Sequence, residues 1–202
     1  PPAAQSQMEI EAITLTPVED TNAHPAIFGT ILTAAPTQHV FRMGIPTDVW
    51  TFNDQLPGPL IRMYADFNLE ITLENQLEES IGLSISGLGP MRPSQGCDIE
   101  LGQVRPGETC VFSKTDLPVG LYYYYTTPRS EERSERGLVG PLLVETQEEN
   151  MWADKEAFLV FDDIKLDAMS KIDDFPAVHP LDYWEERLNG RLGNVLWSMA
   201  SS

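Results

Sequence analysis

VGLYYYYTTP, residues 119–128, sets four tyrosines in a row ahead of two threonines. Aromatic and β-branched residues bounded by Gly and Pro make this a strand. A strand sends alternate side chains to opposite faces, so Tyr123, Tyr125 and Thr127 share one face while Tyr122 and Tyr124 share the other. The even-numbered pair reads as core packing. The odd-numbered trio is either more of the same wall or the occupant of a place where more reactive side chains could stand.

The same two-residue period recurs along the chain. In NLEITLEN, residues 68–75, Leu69, Ile71 and Leu73 alternate with Glu70, Thr72 and Glu74, the pattern of one dry and one wet face. EIEAITL, VWTFN, SIGLSIS, TCVFSK, PLLVE and AFLVFDD are similar short runs, and LPGPL, GLGP, RPGE and LPVG supply turn residues between them. Many short strands at this spacing predict an all-β fold, a sandwich or barrel with Greek-key connections. One helix is expected late in the chain, over HPLDYWEERLNGR, with Pro180 near its start and Gly190 near its end.

Composition narrows the function classes. The chain has 202 residues, 42% hydrophobic and 22% charged, as for an ordinary globular fold. A net charge of −18 repels nucleic acid and anionic membranes at long range, so neither is expected as a partner. No apolar run approaches the roughly 20 residues that span a bilayer. The opening PPAAQSQ, without Met, reads as a processed or trimmed start and favours export.

Two cysteines cannot build a metal cage of the C-x-x-C kind. Cys110, in TCVF, reads as a small buried hydrophobe and Cys97, in SQGCDI, as the freer thiol. The alternative is a disulfide between them, closing a loop worth roughly 2–3 kcal/mol. His24, His39 and His179 are far apart and share no ligand spacing. Asp162, Asp163, Asp167, Asp173 and Asp174 bunch without the spacing of a calcium-binding EF-hand, which reads as a solvated acidic face. No phosphate-binding glycine loop, G-x-S-x-G elbow or H-E-x-x-H helix occurs.

Five phrases in order carry a family resemblance: FNDQLPGPLIRMYADFNLEITLENQL, RPGETCVFSK, VGLYYYYTTP, RGLVGPLLVE and DKEAFLVFDDIKLD. Together they resemble the first cupredoxin domain of laccase-like multicopper oxidases, over roughly residues 40 to 197. The resemblance implies a cupredoxin-like Greek-key domain over 37–164. An N-terminal arm with the first strand or strands would precede it over 1–36, and a short, partly helical extension toward a second domain would follow over 165–202. In that family two His-x-His pairs help hold a trinuclear copper cluster, since i and i+2 on a strand point the same way and imidazole suits copper. Here the first pair falls on Ser84 and Ser86 and the second on Tyr125 and Thr127. Neutral hydroxyls are poor copper ligands, and a tyrosine must first lose a proton with a pKa near 10.

The resemblance therefore implies a degenerate domain: the scaffold of a copper-dependent oxidoreductase with no copper of its own, acting through interfaces. Some exported relatives are of this kind, a periplasmic bacterial cell-division protein among them. The alternative is the first domain of a larger oxidase whose metal sites lie in other domains. Another cupredoxin domain, another protein or further copies of the chain are the expected partners, in the periplasm or outside the cell. Expected contacts are the charged loop Arg129, Glu131, Glu132, Arg133, Glu135 and Arg136, and Trp197, an apolar side chain near the end.

Overall fold

The computed structural model describes residues 15–42, 45–94, 97–98, 100–128, 136–147, 158, 160–166, 183–188 and 191–192. Its elements are strands. One sheet joins β2 (Ile45–Phe52), β1 (Ile27–Arg42), β4 (Asn68–Asn75), β8 (Thr109–Lys114) and β7 (Arg92–Pro93) in that order. The second joins β3 (Ile61–Tyr64), β10 (Val139–Glu145), β9 (Gly120–Thr127), β5 (Gly82–Ile85) and β6 (Gly89–Pro90). The chain passes repeatedly from one sheet to the other, with β1 parallel to β4 and β3 parallel to β10, so connections cross rather than meander. This is the expected cupredoxin-like β-sandwich. No helix among the described residues is long and apolar enough to cross a membrane.

Alternation builds the core. Leu69, Ile71 and Leu73 of β4 are buried beside Phe28 and Leu32 of β1 and Cys110 and Phe112 of β8. Across from them the second sheet contributes Ile61, Met63, Leu83, Ile85, Tyr124, Leu142 and Val144, all buried. At roughly 1.5–3 kcal/mol for each large side chain, this two-walled core is the main favourable term in folding.

β1 is longer than the sequence patterns imply. It runs unbroken through residues 36 and 37, pairing with β4 along its first half and β2 along its second. The turn after β2 has Asn53 and Asp54 at φ 53° and 57°, and Gln55 N–H donates to Phe52 O at 3.1 Å. Two successive positive φ values define a type I′ turn, for which Asn and Asp are suited. The Asn53 side chain then bridges Thr33 N and Ile31 O of β1, pinning the turn to the sheet.

Tyr124 ties that turn to the core. Its hydroxyl donates to Pro59 O at 2.6 Å, its ring is fully buried, and it lies 5.4 Å from the Phe52 ring. A Cβ on Gly140 would run into the Tyr124 hydroxyl, and one on Gly58 would sit 2.9 Å from it. The Pro-Gly-Pro phrase and Gly140 thus make the slot through which the phenol reaches its acceptor. Burial pushes the Tyr124 pKa well above that of a free phenol.

The expected helix over HPLDYWEERLNGR is a correction. Tyr183–Leu188 forms strand β12, antiparallel to β11 (Phe161–Leu166) and followed by β13 (Arg191–Leu192). Helix-forming Glu and Arg are overridden by ladder pairing, in a register that sets Asp162 opposite Arg187.

Candidate functional site

The odd-numbered tyrosines face away from the core. Along β9, Tyr124 and Thr126 are buried while Leu121 and Tyr123 are 65% and 40% exposed. β5 pairs antiparallel with β9 so that Gly82 faces Thr127 and Ser84 faces Tyr125. Directly opposed residues in such a pair share a face, which gathers Ser84, Ser86, Tyr123, Tyr125 and Thr127 on the outer side of the second sheet.

This group is held in place. Ser86 N–H donates to Tyr123 O at 2.9 Å, and Tyr123 N–H donates to the Ser86 hydroxyl at 3.1 Å, extending the ladder one residue beyond β5. The Tyr123 and Tyr125 rings lie 5.6 Å apart and tilted. Ser84, at 3% exposure, stands in the ladder between Tyr125 of β9 and Pro90 of β6. One end is closed by the loop before β8: a Cβ at Gly82 would strike Gly102 O and come within 2.6 Å of Thr127 Oγ1. The sequence reading overlooked that closure; adjacent glycine-bearing segments at Gly82 and Gly102 are the only local trace of it.

The outward β10 positions directly opposite β9 are also uncharged. β10 pairs with β9 so that Val139, Pro141 and Leu143 stand opposite Tyr125, Tyr123 and Leu121. Leu121, two residues before Tyr123, was legible from the strand period but was not singled out. The next outward position on β10 is Glu145, paired with Arg62, so the face is uncharged along β9, β5 and Val139 to Leu143 of β10, up to that ion pair, in a chain of net charge −18.

The donor set does not fit a copper cluster. The positions assigned to it by resemblance present three aliphatic hydroxyls and one phenol, and hydroxyls bind copper weakly while protonated. Neither described histidine is on this face. His24 is exposed before β1, with Nδ1 accepting from Ala26 N–H, and His39 lies on β1 in the other sheet. Among the described residues no group of three or more His, Cys, Asp or Glu could hold a metal ion. His179, Asp167, Asp173 and Asp174 lie outside the described residues.

Cys97 and Cys110 form a disulfide, with Cα atoms 5.0 Å apart at a sequence separation of 13. Cys110 is buried in β8, so the bond ties the first sheet to the loop whose Gly102 abuts Gly82 of the second. Arg129, Glu131, Glu132, Arg133, Glu135 and Trp197 lie outside the described residues. Arg136 is described, and its guanidinium stacks 4.8 Å from the Trp50 ring centre.

Comparison with known proteins agrees with this architecture. Residues 33–149 match the family model described as multicopper oxidase. The cell division protein FtsP of Gallibacterium anatis is 29% identical over 126 residues, 59% of this chain and 27% of that protein. The copper-containing nitrite reductase of Neisseria meningitidis is 27% identical over 118 residues, 58% of this chain and 30% of that protein. A multicopper oxidase from Campylobacter jejuni shares the fold, with a TM-score of 0.70 at 21% identity, covering 89% of this chain and 39% of that one. The chain spans less than a third of the curated relatives' length. With the sandwich, the ordered phrases and a family match over more than half its residues, the chain belongs to the multicopper oxidase family.

Proposed function

We propose that this chain is a multicopper-oxidase-type cupredoxin domain without a copper cluster of its own, working as a non-catalytic scaffold. The observation that carries this reading is the outer face of the second sheet. Ser84, Ser86, Tyr125 and Thr127 converge there in the positions the resemblance gives to copper-binding histidines. These positions present hydroxyls where the resemblance puts imidazoles.

The uncharged part of this face, with Leu121 and Tyr123 exposed, serves as the docking surface. Its partner is another cupredoxin domain, or a second copy of this chain, since an uncharged patch is where two acidic surfaces can meet without repulsion. The disulfide supports an exported, oxidising location.

A second reading has its own support. The matched relatives are more than three times as long as the matched segment, which leaves room for copper in other domains of a larger oxidase. Metal analysis with an oxidase assay on phenols and ferrous iron tests the first reading. The isolated chain is expected to hold far less than one copper per molecule and to oxidise neither. Stoichiometric copper with the absorption bands of a cluster would overturn it.

A further inference from the structure

A cleft of about 290 Å³ opens at the side of the sandwich, between β3 and the segment that leads into β1. Its floor is apolar: Phe28 and Met63, both nearly buried. Tyr64 and Phe67 line it, with rings 6.1 Å apart and near a right angle. Two carboxylates and one guanidinium complete the lining, from Asp20, Glu145 and Arg62.

The charges are not equivalent. Arg62 donates through Nε and Nη2 to the two oxygens of Glu145, at 2.8 and 3.0 Å, a bidentate pair that answers both charges locally. Asp20 has no ion-pair partner among the described residues. One of its oxygens accepts from Asn22 N–H at 2.9 Å and from Gly29 N–H at 3.0 Å, which fixes the carboxylate at the rim. The cleft thus combines an apolar floor, aromatic rings and one uncompensated negative charge.

We infer that this cleft is a binding site for a small organic cation: an ammonium group carried on a compact apolar body of about one ring. A cavity of this size accommodates a single substituted ring, given that about 150 Å³ holds benzene. The ammonium would sit near Asp20, with aromatic faces adding a cation–π attraction. The strongly negative field of the chain concentrates cations and repels carboxylates, which disfavours the anionic analogue. The site lies on β3 and the entry to β1, apart from the β5–β9 face, and does not depend on the function proposed for that face.

Phenethylammonium chloride titrated into the isotopically labelled 202-residue chain, followed by amide chemical shifts, tests this. Saturable shifts are expected at Gly29 and from Arg62 to Phe67, with a dissociation constant on the order of 1–10 mM. Phenylacetate, with the same ring and the opposite charge, is expected to bind at least about fivefold more weakly. Asp20→Asn keeps an oxygen for the two amides and should weaken phenethylammonium by about fivefold or more. Tyr64→Leu, remote from those amide contacts, should weaken it by about threefold. Equal binding of the two ligands, indifference to both substitutions, or the lack of saturable shifts up to about 20 mM would each overturn the inference.

Discussion

Ser84 of β5 stands directly opposite Tyr125 of β9, on the face of the sheet that turns away from the core. The resemblance gives both positions to copper-binding histidines, and here they hold two hydroxyls.

Restoring the donors should therefore restore affinity. The combined substitution Ser84→His, Ser86→His, Tyr125→His and Thr127→His, made where a complementary cupredoxin domain is present, is expected to bind copper at least about tenfold more tightly than the parent. Equilibrium dialysis with metal analysis reads this directly. No gain would mean that these four positions do not correspond to the family's ligands.

The clasp around Tyr124 makes a graded prediction. Tyr124→Phe removes the 2.6 Å bond to Pro59 O and should cost about 1–3 kcal/mol in urea unfolding. Gly140→Ala places a methyl where the phenol passes and should cost at least about 2 kcal/mol. Removing the hydroxyl relieves part of that clash, so the double variant should cost less than the two together.

Tyr124 also sets an alkaline limit. Its folded-state pKa is raised by burial, so the folded chain keeps a proton that the unfolded chain begins to lose near the ordinary tyrosine value of 10.0. The stability tied to that proton is complete below about pH 10 and falls as pH rises beyond it. Tyr124→Phe should flatten that fall, measured as unfolding free energy between about pH 9 and 11.

Cutting the disulfide should loosen a defined region. Cys97→Ser with Cys110→Ser is expected to cost about 3 kcal/mol in the chain-entropy account of a loop of this size. Hydrogen exchange should rise at residues 98–104 and at Gly82, where the tethered loop meets the second sheet. Unchanged protection there would show that the loop is held by its other contacts, such as the Ile81 and Val104 backbone bonds.

The docking proposal predicts a loss of association without a loss of fold. Leu121→Asp and Tyr123→Glu place charge on the uncharged part of this face at exposed positions; the first should change stability by less than about 0.5 kcal/mol and the second, which also loses the ring contact with Tyr125, by no more than about 1.5 kcal/mol. Sedimentation or partner pull-down with an adjoining cupredoxin domain should show weaker assembly.

Strands with clean alternation were legible from sequence because their period reports a face: Leu69, Ile71 and Leu73 are buried as the pattern implies, and so is Tyr124. β1 was not, because IFGTILTAAPTQHVFR interrupts its apolar positions with Gly29, the Ala pair and Pro36. The ladder to β2 and β4 makes that segment a strand, and such long-range pairing leaves little local trace. The helix expected at residues 179–191 failed for the same reason, since YWEERL has helix-forming residues and a partner strand that overrules them. For the candidate site, the shared face of Tyr123, Tyr125 and Thr127 followed from parity alone. Its closure by Gly102 and the tether from Cys97 depend on a loop folding back across both sheets, which parity cannot report.

The division of β9 into two sets of positions has a broader implication. Even-numbered residues such as Tyr124 and Thr126 answer to the interior, whereas odd-numbered ones answer only to whatever lies outside. Selection can therefore rewrite one register of the strand while leaving the other untouched. A domain built this way can change its outward chemistry without giving up its architecture.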